Sequence, residues 1–272
     1  MKKNNWWTAL KGMVIGATML VPGVSGGSMA MILGIYNKLI GAVSSFRKNK
    51  KENFLFLLIF VLGAITGILI FAKPLELLIN RFPKPMLFFF MGAILGGVPM
   101  IYKESGAKKI SWKEMLLVIG GILLVIGLSM FPEGFFNGDE SGGIVRILLL
   151  ILAGIIAAIA LVLPGISVSY MFLIMGLYED ILKAISGFDV LYLLPLMGGL
   201  FVGIILTTKT LEWIMQKYPR IVYPIILGFV LGSLKETFPG VPVGWDWVIC
   251  IMTAAAGFMD VYVLSKIKKA DA

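Results

Sequence analysis

The chain contains no histidine and a single cysteine, Cys250, among its 272 residues. Without histidine it lacks the usual side chain for proton transfer near neutral pH and the commonest metal ligand. One cysteine provides neither an internal disulfide framework nor a cysteine cluster for a metal ion. These absences exclude most hydrolase mechanisms, and we expect no catalytic residue, no metal site and no cofactor.

Charged residues are also scarce, at 14% of the chain, whereas 59% of the residues are hydrophobic and the mean hydropathy is +0.96. A soluble core of this length does not need so much apolar surface, so the composition predicts an integral membrane protein. The net charge of +9 arises from basic residues in short loops, a pattern typical of topology control and not of nucleic-acid binding.

Ten apolar segments are predicted to be helical, because a membrane span must satisfy its own backbone hydrogen bonds. They lie at about 6–21, 24–45, 54–72, 86–102, 114–130, 144–163, 166–186, 190–208, 221–234 and 247–264. The first follows Lys2 and Lys3 and lacks small residues for signal cleavage, so we interpret it as retained structure.

The loop charges predict an orientation for these segments. Basic residues concentrate at 47–51, 103–113, 209–220 and 266–269, whereas the loop at 132–143 has acidic residues and no basic ones. Placing the basic loops and both termini in the cytoplasm requires that residues 6–45 and 144–186 each return to their starting side.

A Pro-Gly-x-Ser motif occurs twice, 142 residues apart. Its copies are Pro22-Gly23-Val24-Ser25-Gly26-Gly27-Ser28 and Pro164-Gly165-Ile166-Ser167-Val168-Ser169-Tyr170. Nine of 23 positions are identical between residues 22–44 and 164–186. Further matches follow at an offset of 136, pairing Gly63, Gly67, Lys73, Leu75, Glu76, Pro83, Gly92, Leu95 and Gly96 with Gly199, Gly203, Lys209, Leu211, Glu212, Pro219, Gly228, Leu231 and Gly232. A duplicated chain is the interpretation that these matches favour.

Each half contains an odd number of net crossings, so the second half is predicted to be inverted relative to the first. The predicted fold is an all-α polytopic membrane protein with an inverted-topology repeat. The first repeat is residues 1–131, with a hairpin at about 6–45 and spans at about 54–130; the second is residues 144–272, with a hairpin at about 144–186 and spans at about 190–264. We expect the hairpins to be re-entrant, because Lys11, Gly12, Gly16 and Thr18 make the first arm a poor full span, although full spans have the same parity.

The two hairpin tips are the candidate binding site, since re-entry from opposite faces would bring them together near the midplane. A helix beginning after each Pro-Gly presents free N–H groups to an anion such as a phosphate or a carboxylate. The candidate residues are Pro22, Gly23, Ser25, Gly26, Gly27, Ser28, Pro164, Gly165, Ser167 and Ser169. The alternative is that these serines and glycines only cap and pack a buried hairpin.

Lys73 with Glu76, and Lys209 with Glu212, form a second pair of candidates at i,i+3 spacing. They would be docking points for an anion at the two membrane surfaces, with each glutamate holding its lysine in place. The alternatives are a local ion pair near a helix end, and a membrane carboxylate that carries a coupling proton.

The chain resembles the bacterial polyprenyl-phosphate transporter family in its first Pro-Gly motif, in Leu33-Gly34-Ile35-Tyr36 and in the weaker second motif. The resemblance implies translocation of undecaprenyl phosphate, the C55 lipid carrier of cell-wall precursors, from the outer to the inner leaflet of the bacterial cytoplasmic membrane. Val168 and Met19 depart from the family pattern, which has glycine and asparagine there. No nucleotide-binding motif occurs, so we do not expect ATP to be the energy source. We expect a coupling ion instead, either a proton or sodium.

Two rival functions remain open. An ion-coupled transporter of a small soluble anion would use the same hairpins but enclose its substrate, whereas a lipid path needs a lateral opening beside Ser25 and Ser167. A membrane enzyme acting on a lipid phosphate is disfavoured by the lack of histidine and of any carboxylate cluster.

Overall fold

The computed structural model describes residues 2–21, 24–106, 111–132, 134 and 143–267, and within them every regular element is a helix. The helices are α1 (Lys2–Thr18), α2 (Gly26–Ile32), α3 (Tyr36–Ser44), α4 (Lys50–Arg81), α5 (Pro83–Glu104), α6 (Trp112–Leu128), α7 (Ile144–Val162), α8 (Val168–Ile174), α9 (Tyr178–Ser186), α10 (Val190–Lys217), α11 (Pro219–Gly232), α12 (Leu234–Thr237) and α13 (Asp246–Ile267). Five of them are long and apolar enough to cross a membrane, or six if the bent pair α2 and α3 is one span. The prediction of an all-α polytopic membrane protein is confirmed for the described residues.

Each predicted hairpin has a broken second arm. The axes of α2 and α3 differ by 115°, and α8 and α9 are separated at the matching position. Gly34 and Gly176 end the first helix of each arm with φ of +61° and +69°, in the left-handed region that favours glycine. The residue after each glycine donates its N–H five residues back, as in a Schellman termination: Ile35 to the Ala30 carbonyl and Leu177 to the Phe172 carbonyl, both at 2.9 Å. Segments 24–45 and 166–186, predicted as continuous helices, are therefore two short helices each.

Glycines mediate the closest helix pairs, which are α1 with α4, α7 with α10, α5 with α13 and α6 with α11. A Cβ added to Gly63 of α4 would collide with the Ala9 carbonyl of α1, and one added to Gly199 of α10 would collide with the Ile151 carbonyl of α7. Backbones that approach this closely through small residues are typical of helices packed in lipid.

The remaining two pairs cross between the halves of the chain. Gly92 of α5 lies against Ala254 of α13, and Gly228 of α11 lies against Val118 of α6. The last long helix of each half is therefore packed on the other half, so neither half forms its own closed bundle.

These contacts predict opposite effects for two helical glycines. We expect Gly92→Ala to destabilise the protein by about 1–3 kcal/mol, because the new methyl group overpacks a backbone contact. Gly120 of α6 has open space around its Cβ position, so Gly120→Ala should be neutral or slightly stabilising. Thermal unfolding of both variants in detergent, followed by tryptophan fluorescence, measures the difference; equal melting temperatures would contradict the packing.

The two ends of α11 identify the two ends of the bundle. Near its start, Tyr223 accepts a hydrogen bond from Asn37 of α3 at 3.1 Å; we call this the Tyr223 end. Glu236 of α12 lies just after the end of α11, and we call this end of the bundle the Glu236 end. At this end Lys84, near the start of α5, donates a hydrogen bond to the Val241 carbonyl at 3.3 Å.

Candidate functional site

A cavity of about 470 Å³ lies between the two Pro-Gly-x-Ser segments. We call it the tip cavity. Residues that follow α1 and begin α2 form one wall, and residues from α7 to the start of α9 form the other. It is lined by Met19, Leu20, Val21, Val24, Ser25, Gly26, Ala160, Leu161, Gly165, Ile166, Ser167, Val168, Ser169, Tyr170, Leu173, Tyr178 and Glu236.

The two tips touch each other beside this cavity. A Cβ added to Gly27 would lie 3.2 Å from the Pro164 Cα, so the two backbones are separated by little more than a methyl group. The hydroxyl of buried Tyr36 donates to the Val162 carbonyl at the end of α7 over 2.6 Å. That bond satisfies one of the carbonyls that the end of a helix leaves without an intrahelical partner.

The two motif serines differ in what their hydroxyls do. Ser167 caps α8 by accepting a hydrogen bond from the Tyr170 N–H at 3.3 Å. Ser25 precedes α2 with extended backbone angles but makes no side-chain cap hydrogen bond. Because the first N–H groups of a helix have no intrahelical acceptor, Ser25 and the start of α2 offer donors to a ligand.

Most of the predicted tip residues lie in or directly behind the cavity wall. Ser25, Gly26, Gly165, Ser167 and Ser169 line it. Three others, Gly27, Ser28 and Pro164, are buried behind it. The Ser28 hydroxyl has no hydrogen-bond partner among the described residues. Pro22 and Gly23 lie outside the described residues.

The structure does not bring the Lys–Glu candidates to the tip cavity. Lys73, Glu76 and Lys209 are exposed, and within the described chain no ion pair joins either lysine to its predicted glutamate. Neither glutamate is paired with its lysine in this structure, and the docking role of the two lysines stays a prediction. The physical reason is that exposed ion pairs gain little over hydration, while half-buried Glu212 has other partners.

Glu212 is held by polar side chains of α3 and α10. The Ser44 hydroxyl donates a short hydrogen bond to its Oε2, and Gln216 donates to its Oε1 at 3.5 Å. It also lines a second cavity, of about 180 Å³, at the Tyr223 end, together with Asn37, Ile40, Met215, Gln216 and Tyr223. The two cavities thus lie toward opposite ends of α11.

Sequence reasoning missed Glu236, which is the one Asp, Glu, Lys or Arg among the described residues that line the tip cavity. It is half-buried, and burial raises the pKa of its carboxyl, while neighbouring Lys235 lowers that pKa by less. A carboxylate placed just after the apolar segment 221–234 was the available signal, but it resembles an ordinary loop charge.

Apart from Glu236, the described side chains that line the tip cavity are uncharged; they include serine and tyrosine hydroxyls that could donate hydrogen bonds to an anion. Tyr170 reaches across to donate its hydroxyl to the Phe131 carbonyl at 2.9 Å. Among the described residues, no group of three or more cysteine or acidic side chains is placed to hold a metal ion.

Comparison with known proteins identifies the family of the chain. The family profile described as "VCA0040-like: Undecaprenyl phosphate translocase-like" matches residues 15–257. A polyprenyl-phosphate transporter of Staphylococcus aureus is 32% identical over 278 residues, covering 98% of each chain. A polyprenyl-phosphate transporter of Vibrio cholerae is 29% identical over 246 residues, covering 85% of this chain and 77% of its own. No solved structure gives a significant match. The chain is therefore a member of the undecaprenyl phosphate translocase-like family.

Proposed function

We propose that this protein translocates undecaprenyl phosphate across the bacterial cytoplasmic membrane, returning the lipid carrier from the outer to the inner leaflet. The observation that carries the proposal is the tip cavity, in which both motif copies place hydroxyls around a space large enough for a phosphate headgroup. The two relatives named polyprenyl-phosphate transporters support the same substrate class. A transporter of this kind makes and breaks no covalent bond, so we assign no enzymatic activity.

The phosphate is proposed to bind at Ser25, Ser167 and Ser169. Ser25 has an uncommitted hydroxyl beside the N–H groups that open α2, and hydrogen bonds to an ionised phosphate are stronger than neutral ones. Gly26 and Gly165 also line the cavity, and neither has room for a Cβ, because the Met19 side chain and the Phe229 carbonyl lie too close. Since α2 and α8 have only seven residues each, hydroxyls and individual N–H groups contribute more than a helix dipole.

The polyprenyl tail is proposed to remain in lipid beside the cavity. Met19 and Leu161 line the cavity and are nevertheless exposed at its rim, at 47% and 38% of their surface. They occupy equivalent positions before the two Pro-Gly motifs. Apolar side chains that are exposed on both flanks favour a lateral opening to lipid over the closed vestibule that a small soluble anion would need.

The duplicated architecture, residues 1–131 and 144–272, is proposed as an inverted repeat with re-entrant hairpins. Matched glycines support it: Gly63 and Gly199, 136 residues apart, make the same kind of backbone contact within their halves, and Gly34 and Gly176 break the two return arms alike. Opposed copies would let one bundle present its site to either leaflet in turn.

The orientation proposed from the loop charges places both termini and the Tyr223 end in the cytoplasm. Lys103 and Lys217 lie in the last turns of α5 and α10 at that end, and Arg220 lies at the start of α11. Phe131, which precedes the acidic loop in the sequence, contacts Tyr170 of the tip cavity instead. The tip cavity then faces the outer leaflet. Exposed Lys73 and Lys209 would be first contacts for phosphate at the two surfaces, outside the cavity itself.

Leaflet exchange of C55-phosphate in proteoliposomes tests the function. We expect Ser25→Leu to slow exchange at least about tenfold, because it removes a hydrogen bond to a charged group and fills the cavity. Ser129→Leu is the matched control, since Ser129 lies at the end of α6 outside the cavity lining. No exchange by the unaltered protein, with uptake of inorganic phosphate instead, would establish the small-anion alternative.

A further inference from the structure

Glu236 contributes a carboxyl group to a cavity that must accept an anion. It lines the same cavity as Ser25 and Ser167, and no lysine or arginine occurs among the described residues of that lining. Among the described residues its carboxyl makes no hydrogen bond or ion pair. Folding alone does not account for this carboxyl, because a half-buried polar group without a hydrogen-bond partner costs free energy.

An ionised Glu236 would oppose phosphate binding. A phosphate monoester carries between one and two negative charges near neutral pH, and two anions in one partly buried site favour protonation of one of them. The protonated carboxyl is a hydrogen-bond donor, and its O–H would point at a phosphate oxygen as an additional ligand. The charge state of Glu236 therefore decides whether it repels or binds the headgroup.

We propose that Glu236 binds the lipid phosphate in its protonated form, so that one proton enters the tip cavity with each phosphate. The inference rests on the proposed function and names its coupling ion. The proton comes from water at the Glu236 end, resides on a carboxyl oxygen while the phosphate is bound, and is released when the phosphate leaves. No bond to phosphorus forms or breaks.

Within the part of the chain that the structure describes, few other titratable groups surround Glu236. Lys235 is its neighbour on α12, and its positive charge favours the ionised carboxyl. Helix α5 packs against α12. Its charged residue at the Glu236 end is Lys84, which donates a hydrogen bond to the Val241 carbonyl. On α11 the only charged residue is Arg220, at the opposite end of the helix. The phenols of Tyr170 and Tyr178 complete the cavity wall.

The direction of the pH dependence follows from these charges. Burial raises the pKa of the free carboxyl, and phosphate raises it further in the complex. The contribution of Glu236 to affinity is therefore constant below the pKa of the free carboxyl. Above it, affinity falls by up to about tenfold per pH unit, because each binding event must first recover a proton from water.

Farnesyl phosphate binding to the purified full-length protein in nanodiscs, measured by calorimetry from pH 6 to pH 9, tests the proposal. Glu236→Gln keeps the shape of the protonated carboxyl but cannot ionise. At the alkaline end we expect this variant to bind at least about tenfold tighter than the unaltered protein. Calorimetry in two buffers of different ionisation enthalpy should show about one proton fewer taken up per ligand by the variant; ionisation of the phosphate itself is common to both proteins and cancels.

Glu179→Gln is the charge-matched control. Glu179 is exposed on α9, is paired with Lys183 at 3.6 Å and does not line the cavity, so this variant should retain the original pH profile. Equal pH slopes for Glu236→Gln and the unaltered protein would overturn the inference. So would loss of binding by Glu236→Gln at every pH with an unchanged melting temperature, or affinity that follows sodium and not pH. If the unaltered protein binds no farnesyl phosphate at any pH, the proposed function itself fails, and the inference with it.

Discussion

Gly165→Ala is expected to reduce C55-phosphate exchange at least about a hundredfold, chiefly by displacing the second tip. Gly165 has φ of +83°, a conformation that an L-residue side chain rarely adopts. A Cβ at this position would also lie 2.8 Å from the Val230 nitrogen and closer still to the Phe229 carbonyl. Because α11 supplies backbone and not a flexible side chain, the collision moves the cavity wall itself.

Backbone strain and steric collision can be separated with a second glycine. Gly240 has φ of +90° but nothing lies near its Cβ position, so Gly240→Ala introduces the strain without the collision. We expect it to cost about 1 kcal/mol of stability and to leave exchange within about twofold of the original. Exchange rates and melting temperatures of both variants provide the comparison. Equal exchange by the two would show that the close approach of the second tip to α11 is not needed.

Some features of the site could be predicted from the sequence and others could not. Pro164-Gly165 stood out because it repeats Pro22-Gly23 within apolar sequence, so the tips and their serines were identifiable from the amino-acid pattern alone. The difference between Ser25 and Ser167 could not be predicted, because both serines have extended backbone angles and only Ser167 accepts a capping hydrogen bond. Glu236 was missed for a related reason: only the path of α11 and α12 brings a loop carboxylate to the tips.

The fold likewise has features that the sequence predicts and features that it does not. Helix positions followed from hydropathy, because a chain in lipid must form its hydrogen bonds within each span. The breaks at Gly34 and Gly176 had a visible signal, a glycine before Ile35 or Leu177 in each return arm, but a glycine is tolerated in many membrane helices. The Lys–Glu spacing at Glu76 and Glu212 predicted pairs that do not form, since tertiary packing and not helix spacing determines the partners of Glu212.

Polar contacts at the Tyr223 end are not repeated at the Glu236 end, although the sequence offers the equivalent residues. Ser44 of α3 donates to Glu212 of α10. Their counterparts under the proposed repeat are Ser186 of α9 and Glu76 of α4, both exposed and without a mutual hydrogen bond. Under the proposed inverted repeat and orientation, this asymmetry corresponds to an alternating-access protein with its cytoplasmic side closed and its outer cavity open. We propose that the Ser44–Glu212 contact is a latch, a contact that must release before the phosphate reaches the inner leaflet.

Locking that latch should therefore stop transport reversibly. The test uses a Cys250→Ala background, which removes the only native cysteine of the chain. In this background the double variant Ser44→Cys, Glu212→Cys is treated with a short, cleavable bifunctional thiol reagent. We expect it to lose at least about nine tenths of its C55-phosphate exchange, an effect of roughly 1.4 kcal/mol or more on the barrier. Reduction of the reagent should restore exchange. Each single cysteine variant, treated alike, controls for modification without cross-linking. In a separate control, Ser169→Cys should stay accessible to an impermeant label added outside the vesicles, because Ser169 is exposed. Full exchange by the cross-linked double variant would contradict the latch, because the closed contact would then be compatible with passage of the headgroup.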